Sequence, residues 1–370
     1  MPLLSQPIPS LKQNTPFHPR TRRARSRALS PLWILLAGLA SCAHAPETPS
    51  APSTTAAVRS TPDASKLFAF HVSSWVNLHQ QLYFEARPPR GFTVTLPEEE
   101  RWTPAERQAW DTAVTTYREH TPDHFLAVLY DPGLISSRRA LDSVPEEGSP
   151  VGVPGIDPAL AAALAQAIGP YRAHSWPEVA SEAHAWVAAL EPALRQHGPA
   201  IARELTEIYG APWPTQPFSV QVSRQASRFG AYTLVDPTVI TISSHKLPNR
   251  EEAPLESVFH EASHALMDPL IDAFHAEFRR QGKTPPQQLW HALLFFTTGE
   301  VVRHQLGPSY VPYAYANHLY ANDPEWAAFE PVMKREWTPY LEHKVDLQTA
   351  LRQLVAGYVP PAPQPGTPAP

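Results

Sequence analysis

The chain has 370 residues, of which 43% are hydrophobic, and this composition is typical of a globular protein with a large core. Its formal net charge is −5. Residues 1–41 contain six basic and no acidic side chains, so the remainder carries 24 basic and 35 acidic groups, a net charge of −11. A chain this acidic repels a phosphate backbone, which argues against nucleic acid as a partner.

The N-terminal segment combines an arginine-rich region, residues 20–27, with a short apolar run over residues 32–40. That run is too short to span a bilayer of about 30 Å as a helix, so it indicates a secretion signal. The following Leu39-Ala40-Ser41-Cys42 resembles the bacterial lipoprotein box, and Cys42 is the only cysteine. The alternatives are ordinary cleavage after Ala45 and an organellar transit peptide.

The lipoprotein resemblance implies a signal peptide over residues 1–41 and a lipid on Cys42, which becomes the mature N-terminus. Acyl chains then hold the protein to a membrane of the bacterial cell envelope, the outer membrane in a Gram-negative cell. Residues 42–63 are rich in Pro, Ser and Thr, so we expect a disordered tether. The Pro-rich residues 359–370 are expected to be a disordered tail.

The next part of the chain, residues 64–210, predicts a helical lobe. Apolar residues from Leu67 onward follow a mostly helical spacing, and Thr103 is a candidate cap for a helix over Pro104–His120. Further helices are expected over residues 157–167 and Trp176–Tyr209, the last interrupted by Pro192 and Pro199.

The pattern changes to strand after residue 210, where residues 211–358 form the predicted catalytic lobe. Residues 218–222, 229–235 and 239–243 alternate or are rich in β-branched and aromatic side chains, which predicts three short strands. A helix follows, with Pro254 suited to its first position and Pro269 ending it.

This helix contains His260-Glu261-Ala262-Ser263-His264, the pattern His-Glu-x-x-His. Two histidines four residues apart lie on one helix face, so both can bind one ion, and imidazole nitrogens suit zinc. Glu261 can reach a water at the metal and take its proton as general base. The pattern therefore predicts a zinc site with His260 and His264 as metal ligands and Glu261 as catalytic residue.

Short strands followed by a His-Glu-x-x-His helix resemble the zincin metallopeptidases. The resemblance to the gluzincin branch implies a third ligand from a Glu on a later helix, and residues 286–306 offer Glu300, preceded by Gly299. The expected fold is α+β and mainly helical, with a zincin-like catalytic lobe beside the N-terminal helical lobe.

His291 is the rival third ligand. It precedes Glu300 by nine residues, about half a turn out of phase on one helix, so both would bind only if the helix broke near residues 297–299. We favour Glu300, because a histidine in an apolar helix is often merely hydrogen-bonded in the core.

The zincin resemblance also implies a donor to the oxyanion of the reaction intermediate, and Tyr313 is the candidate. The sequence thus predicts a zinc metallohydrolase, and the zincin resemblance implies a metallopeptidase with a peptide or protein substrate. The chief alternative is a non-catalytic binding or scaffold lipoprotein of the envelope that retains the fold. A zinc hydrolase acting on a non-peptide bond is the third possibility.

Overall fold

The structure is a computed structural model that describes residues 64–88, 96–123, 127–227, 230–245 and 253–362. These residues belong to one compact unit, which is mainly helical and contains a four-stranded mixed sheet. The expected α+β, mainly helical class is confirmed at this level. The predicted signal peptide, Cys42 and the tether lie outside the described residues, as does the tail from residue 363 onward.

The sheet has the strand order β1-β2-β4-β3, with strands β1 (Phe68–His71), β2 (Phe218–Ser223), β3 (Ala231–Leu234) and β4 (Val239–Ser243). β1, β2 and β4 are parallel, and β3 runs antiparallel to β4 at the edge. The three predicted strands are present. β1 was wrongly expected to be helical, because its pairing with a strand about 150 residues later leaves no local signal.

The sheet separates two hydrophobic cores, because successive side chains of a strand point to opposite faces. Val220, Val222, Ile240 and Ile242 lie in the larger core. On the other face, Tyr232 and Leu234 lie in the smaller core. Polar groups also occupy this second face, where the buried guanidinium of Arg138 donates to the hydroxyl of Thr241.

The smaller core is built by helices that precede residue 171. They are α1 (Ser74–Ala86), α2 (Pro104–His120), α3 (Ala127–Tyr130), α4 (Pro132–Leu141) and α5 (Pro158–Pro170). The predicted cap of α2 is confirmed: the Thr103 hydroxyl accepts from the Glu106 backbone N–H, and the Glu106 carboxylate accepts from the Thr103 backbone N–H. These reciprocal bonds satisfy two backbone donors at the helix start.

A π-helical turn over Tyr171–Ser175 leads into α6 (Trp176–Tyr209), which ends at Gly210 in the left-handed conformation. The expected interruption at Pro192 and Pro199 is wrong, because the helix continues through both. Buried side chains such as Leu194, Ile201 and Leu205 pack α6 against the larger core. This packing offsets the helical hydrogen bonds that the two prolines cannot donate. Helix α6 and strand β1 both precede residue 210, yet their side chains belong to the larger core. The boundary between the two cores therefore does not coincide with residue 210.

The larger core is completed by helices that follow the sheet. They are α7 (Pro254–Ser263), α8 (Asp268–Arg280), α9 (Leu289–Leu306), α10 (Tyr313–Ala316), α11 (Leu319–Asn322), α12 (Pro324–Val332), α13 (Thr338–Leu341) and α14 (Leu347–Gly357). A π-helical turn over Met333–Trp337 joins α12 to α13. Within the described ranges, no helix combines the length and apolarity needed to cross a membrane.

Candidate metal centre

The His-Glu-x-x-His segment forms α7 and its C-terminal cap residue, His264. As predicted, Pro254 lies in the first turn, and one stripe of the helix is buried in the larger core, including Val258, Phe259 and Ala262. The expectation that Pro269 ends this helix is wrong, because α7 ends at Ser263 and Pro269 lies in the first turn of α8. The rings of His260 and His264 lie together, with centroids 5.1 Å apart and planes nearly perpendicular. One face of the helix therefore packs, and the other presents two imidazoles side by side.

A third imidazole joins them from α9. His260, His264 and His291 each offer a ring nitrogen, and these atoms all lie within 4.8 Å of one another. Among the described residues, they are the one group of three or more potential ligands brought together in this way. The site thus combines two residues that are close in sequence with a third that only the packing of α9 on α7 supplies.

The spacing can be compared with that of a zinc site. Two nitrogens at about 2.0–2.1 Å from a tetrahedral ion are about 3.3–3.4 Å apart. The Nε2 atoms of His260 and His291 are separated by 3.3 Å. The other separations reach 4.8 Å, so small rotations of the half-buried His264 and His291 side chains are needed to complete the triangle. The donor set fits zinc.

A hydrogen bond between neutral rings is the alternative explanation of the short contact. It accounts for the 3.3 Å separation of His260 and His291, but not for the approach of His264 to both. The convergence of three imidazoles therefore makes this group a candidate metal site.

All three rings are in the neutral form that binds metals. Burial lowers the pKa of His264 to about 4. Burial, with added repulsion from neighbouring rings, holds the pKa of His260 and His291 well below the usual range. Neutral imidazole is the ligand form, so no proton has to be removed from these side chains at neutral pH.

Glu300, the predicted third ligand, lies elsewhere. Its carboxylate forms an ion pair with Arg303 one turn later on α9. The helix is continuous through residues 297–299, so Glu300 is about half a turn out of phase with His291 and cannot face the same ion. The structure brings together the rival residue, His291, and does not bring Glu300 into the group.

Gly299 has a packing role next to this acid. A Cβ atom at residue 299 would lie 2.7 Å from Cβ of Pro312 and 3.2 Å from Oε1 of Glu256. The absence of a side chain at residue 299 therefore lets the segment before α10 pack closely against α9. Glu300 itself lines a cleft of about 410 Å³ together with Arg303, Tyr310, Tyr315 and Lys334.

The side chain of Glu261 extends from α7 to the edge strand β3. Its carboxylate Oε2 is 2.6 Å from the hydroxyl of Thr233 on β3, and that hydroxyl also lies 2.9 Å from the Glu261 carbonyl oxygen. Burial raises the pKa of Glu261 to about 7, against the opposing effect of the Thr233 hydrogen bond. A carboxyl with this pKa has the proton affinity that a general base needs near neutral pH.

Aromatic rings surround the three histidines. Phe295 packs on the face of His260, with centroids 3.9 Å apart, and also contacts His291. The ring of Tyr313, the predicted oxyanion donor, is nearly parallel to the ring of Phe295, and their centroids are 6.2 Å apart. Trp290 contacts both His264 and His291.

Two residues near the site carried no recognisable sequence signal. Thr233 lies 28 residues before Glu261 in a short strand, and its side-chain direction becomes meaningful only once β3 is placed beside α7. In the sequence, Glu256 looks like an ordinary acid in the first turn of a helix.

No protein family, curated protein or solved structure matches this chain.

Proposed function

We propose that this protein is a zinc-dependent metallohydrolase with a zincin-like site, and that its substrate is a peptide or protein. The observation that carries the proposal is the convergence of His260, His264 and His291, two of which lie on the same helical segment as the buried Glu261. His291 takes the place that the resemblance to gluzincins gave to Glu300. The ligand set is therefore three histidines, with room required for solvent at a fourth position.

Each side chain has a separate task in this proposal. His260, His264 and His291 hold the ion, which when bound supplies a Lewis acid that activates water for attack on a carbonyl. Glu261 accepts the proton of the attacking water and returns it to the leaving amine. Thr233 holds the Glu261 carboxylate in place by its hydroxyl group. Tyr313 donates a hydrogen bond to the developing oxyanion.

Metal-dependent hydrolysis tests the proposal. We expect the full mature chain to bind about one zinc per molecule and to cleave members of a fluorescence-quenched peptide library. Removal of the metal by a chelator should abolish cleavage, and added zinc should restore it. The proposal is wrong if the chain binds no zinc, or if cleavage persists in the metal-free protein.

The same proposal includes attachment to the bacterial cell envelope through lipid on Cys42. Its support is the sequence Leu39-Ala40-Ser41-Cys42 after a short apolar run. Replacing Cys42 with Ala should release the protein from the membrane fraction, because the acyl chains provide the anchor. Unchanged fractionation of the variant would argue against lipidation at this residue.

A further inference from the structure

Glu256 is a buried acid on the metal helix, one turn before His260. It is 1% exposed. Its Oε2 atom accepts two hydrogen bonds from a segment more than fifty residues later: one from the Tyr310 hydroxyl at 2.7 Å and one from the Tyr313 backbone N–H at 2.8 Å. Tyr313 begins α10, and an N–H at the first position of a helix has no acceptor within that helix. Glu256 supplies that acceptor.

The other carboxylate oxygen of Glu256 is not satisfied. Oε1 is buried and has no hydrogen-bond partner among the described residues. Burial raises the pKa of Glu256 to about 7, and the nearby carboxylate of Glu300 adds to the shift. The unpaired oxygen is a cost of burying this carboxylate, but an apolar side chain here would leave the Tyr310 hydroxyl and the Tyr313 N–H without their acceptor. What the carboxylate contributes is therefore the connection between α7 and residues 310–313.

An acid in the first turn of a helix has a simpler explanation, which is favourable interaction with the helix dipole. That effect is available to an exposed side chain in the first turn of any helix. It requires neither burial nor hydrogen bonds to a distant segment. The two bonds from Tyr310 and Tyr313 are thus the feature that the dipole leaves unexplained.

Three segments meet at Glu256. α7 supplies the carboxylate, the segment before α10 supplies its two donors, and α9 approaches through Gly299, where any Cβ would collide with Pro312. In the same segment, the Tyr313 ring stacks on Phe295, which in turn packs on His260. Fixing the backbone nitrogen of Tyr313 therefore fixes the point from which its phenol extends.

We infer that Glu256 is a positioning residue that ties the segment over residues 310–313 to the metal helix and so holds Tyr313 toward the metal centre. The inference rests on the proposed function in so far as Tyr313 serves hydrolysis. The anchoring itself is a property of the fold and can be measured without any turnover.

The first test is a double-mutant cycle on peptide-library hydrolysis. Tyr313→Phe should lower kcat by about 10²-fold or more, as loss of an oxyanion donor does. Glu256→Leu should lower kcat by about 10-fold or more while zinc content stays at one per chain. In the double variant the loss should remain within about 3-fold of Tyr313→Phe alone, because both changes remove the same interaction.

Milder variants and a matched control keep the cycle interpretable. Glu256→Gln retains an oxygen acceptor and should recover most of the activity lost in Glu256→Leu. Tyr310→Phe removes one of the two bonds and should fall between wild type and Glu256→Leu. Glu85 is another largely buried acid, bonded to Gln81 and Trp110 in the smaller core, so Glu85→Leu should leave kcat within about 2-fold.

The second test is amide hydrogen exchange at residue 313. The N–H should be protected in the wild type and should exchange at least about 10-fold faster in Glu256→Leu, but not in Glu85→Leu. Unchanged exchange in Glu256→Leu, or losses that multiply in the double variant, would overturn the inference. If the zinc-loaded wild type cleaves no peptide, the proposed function fails, and exchange still decides whether Glu256 anchors the segment.

Discussion

Replacing Glu261 with Gln is expected to leave about one zinc per chain and to lower peptide-library hydrolysis by about 10²–10⁴-fold, the usual contribution of a general base. The amide has nearly the shape of the carboxylate and can still meet the Thr233 hydroxyl, but it cannot accept the proton of an attacking water. Metal analysis and initial rates on the same samples measure both quantities.

Glu85→Gln is the matched control, since it makes the same chemical change at a half-buried acid that accepts a hydrogen bond from Trp110 of the other core. It should retain wild-type hydrolysis. Full activity in Glu261→Gln would remove Glu261 as the base. A wild-type chain that binds zinc tightly and cleaves nothing would instead favour the alternative of a non-catalytic envelope scaffold.

Zinc content is expected to depend on His291 and not on Glu300. His291→Ala removes one of three converging nitrogens, so bound zinc should fall well below one per chain under conditions that saturate the wild type. Glu300→Gln should keep full zinc content, because its carboxylate is engaged with Arg303 on another face of α9. Equilibrium dialysis followed by metal analysis provides the measurement.

His304→Ala is the control for a histidine on the same helix, where Nδ1 lies 2.9 Å from a carboxylate oxygen of Glu204. It should bind zinc as the wild type does. The opposite pattern, with zinc lost in Glu300→Gln and kept in His291→Ala, would reassign the third ligand to the residue that the gluzincin resemblance implies. It would also require α9 to adopt a different rotation in the metal-bound protein.

Local patterns were sufficient for much of the C-terminal half. Helix α7, its proline start and its buried stripe follow from a spacing within ten residues, and three of the four strands have enough alternation or enough β-branched and aromatic side chains to be predicted. β1 could not be separated from the helix after it, because a four-residue strand has too few positions to reveal a period. The two prolines of α6 predicted a break in the helix that is absent. The hydrogen bonds that they remove are outweighed by the packing of α6 against distant residues of the larger core.

The sequence by itself determined the pair of imidazoles and the acid beside them, because four residues of helix return a side chain to the same face. It also reduced the third ligand to two residues that cannot face one ion together on an unbroken helix. Only the tertiary structure shows which of the two lies with His260 and His264, since the rotation of α9 against α7 depends on core contacts far from both residues. The hydrogen-bond partners of Glu256 and Glu261 also follow only from the tertiary structure, because Tyr310 and Thr233 reach these acids only after the sheet and the helices have packed.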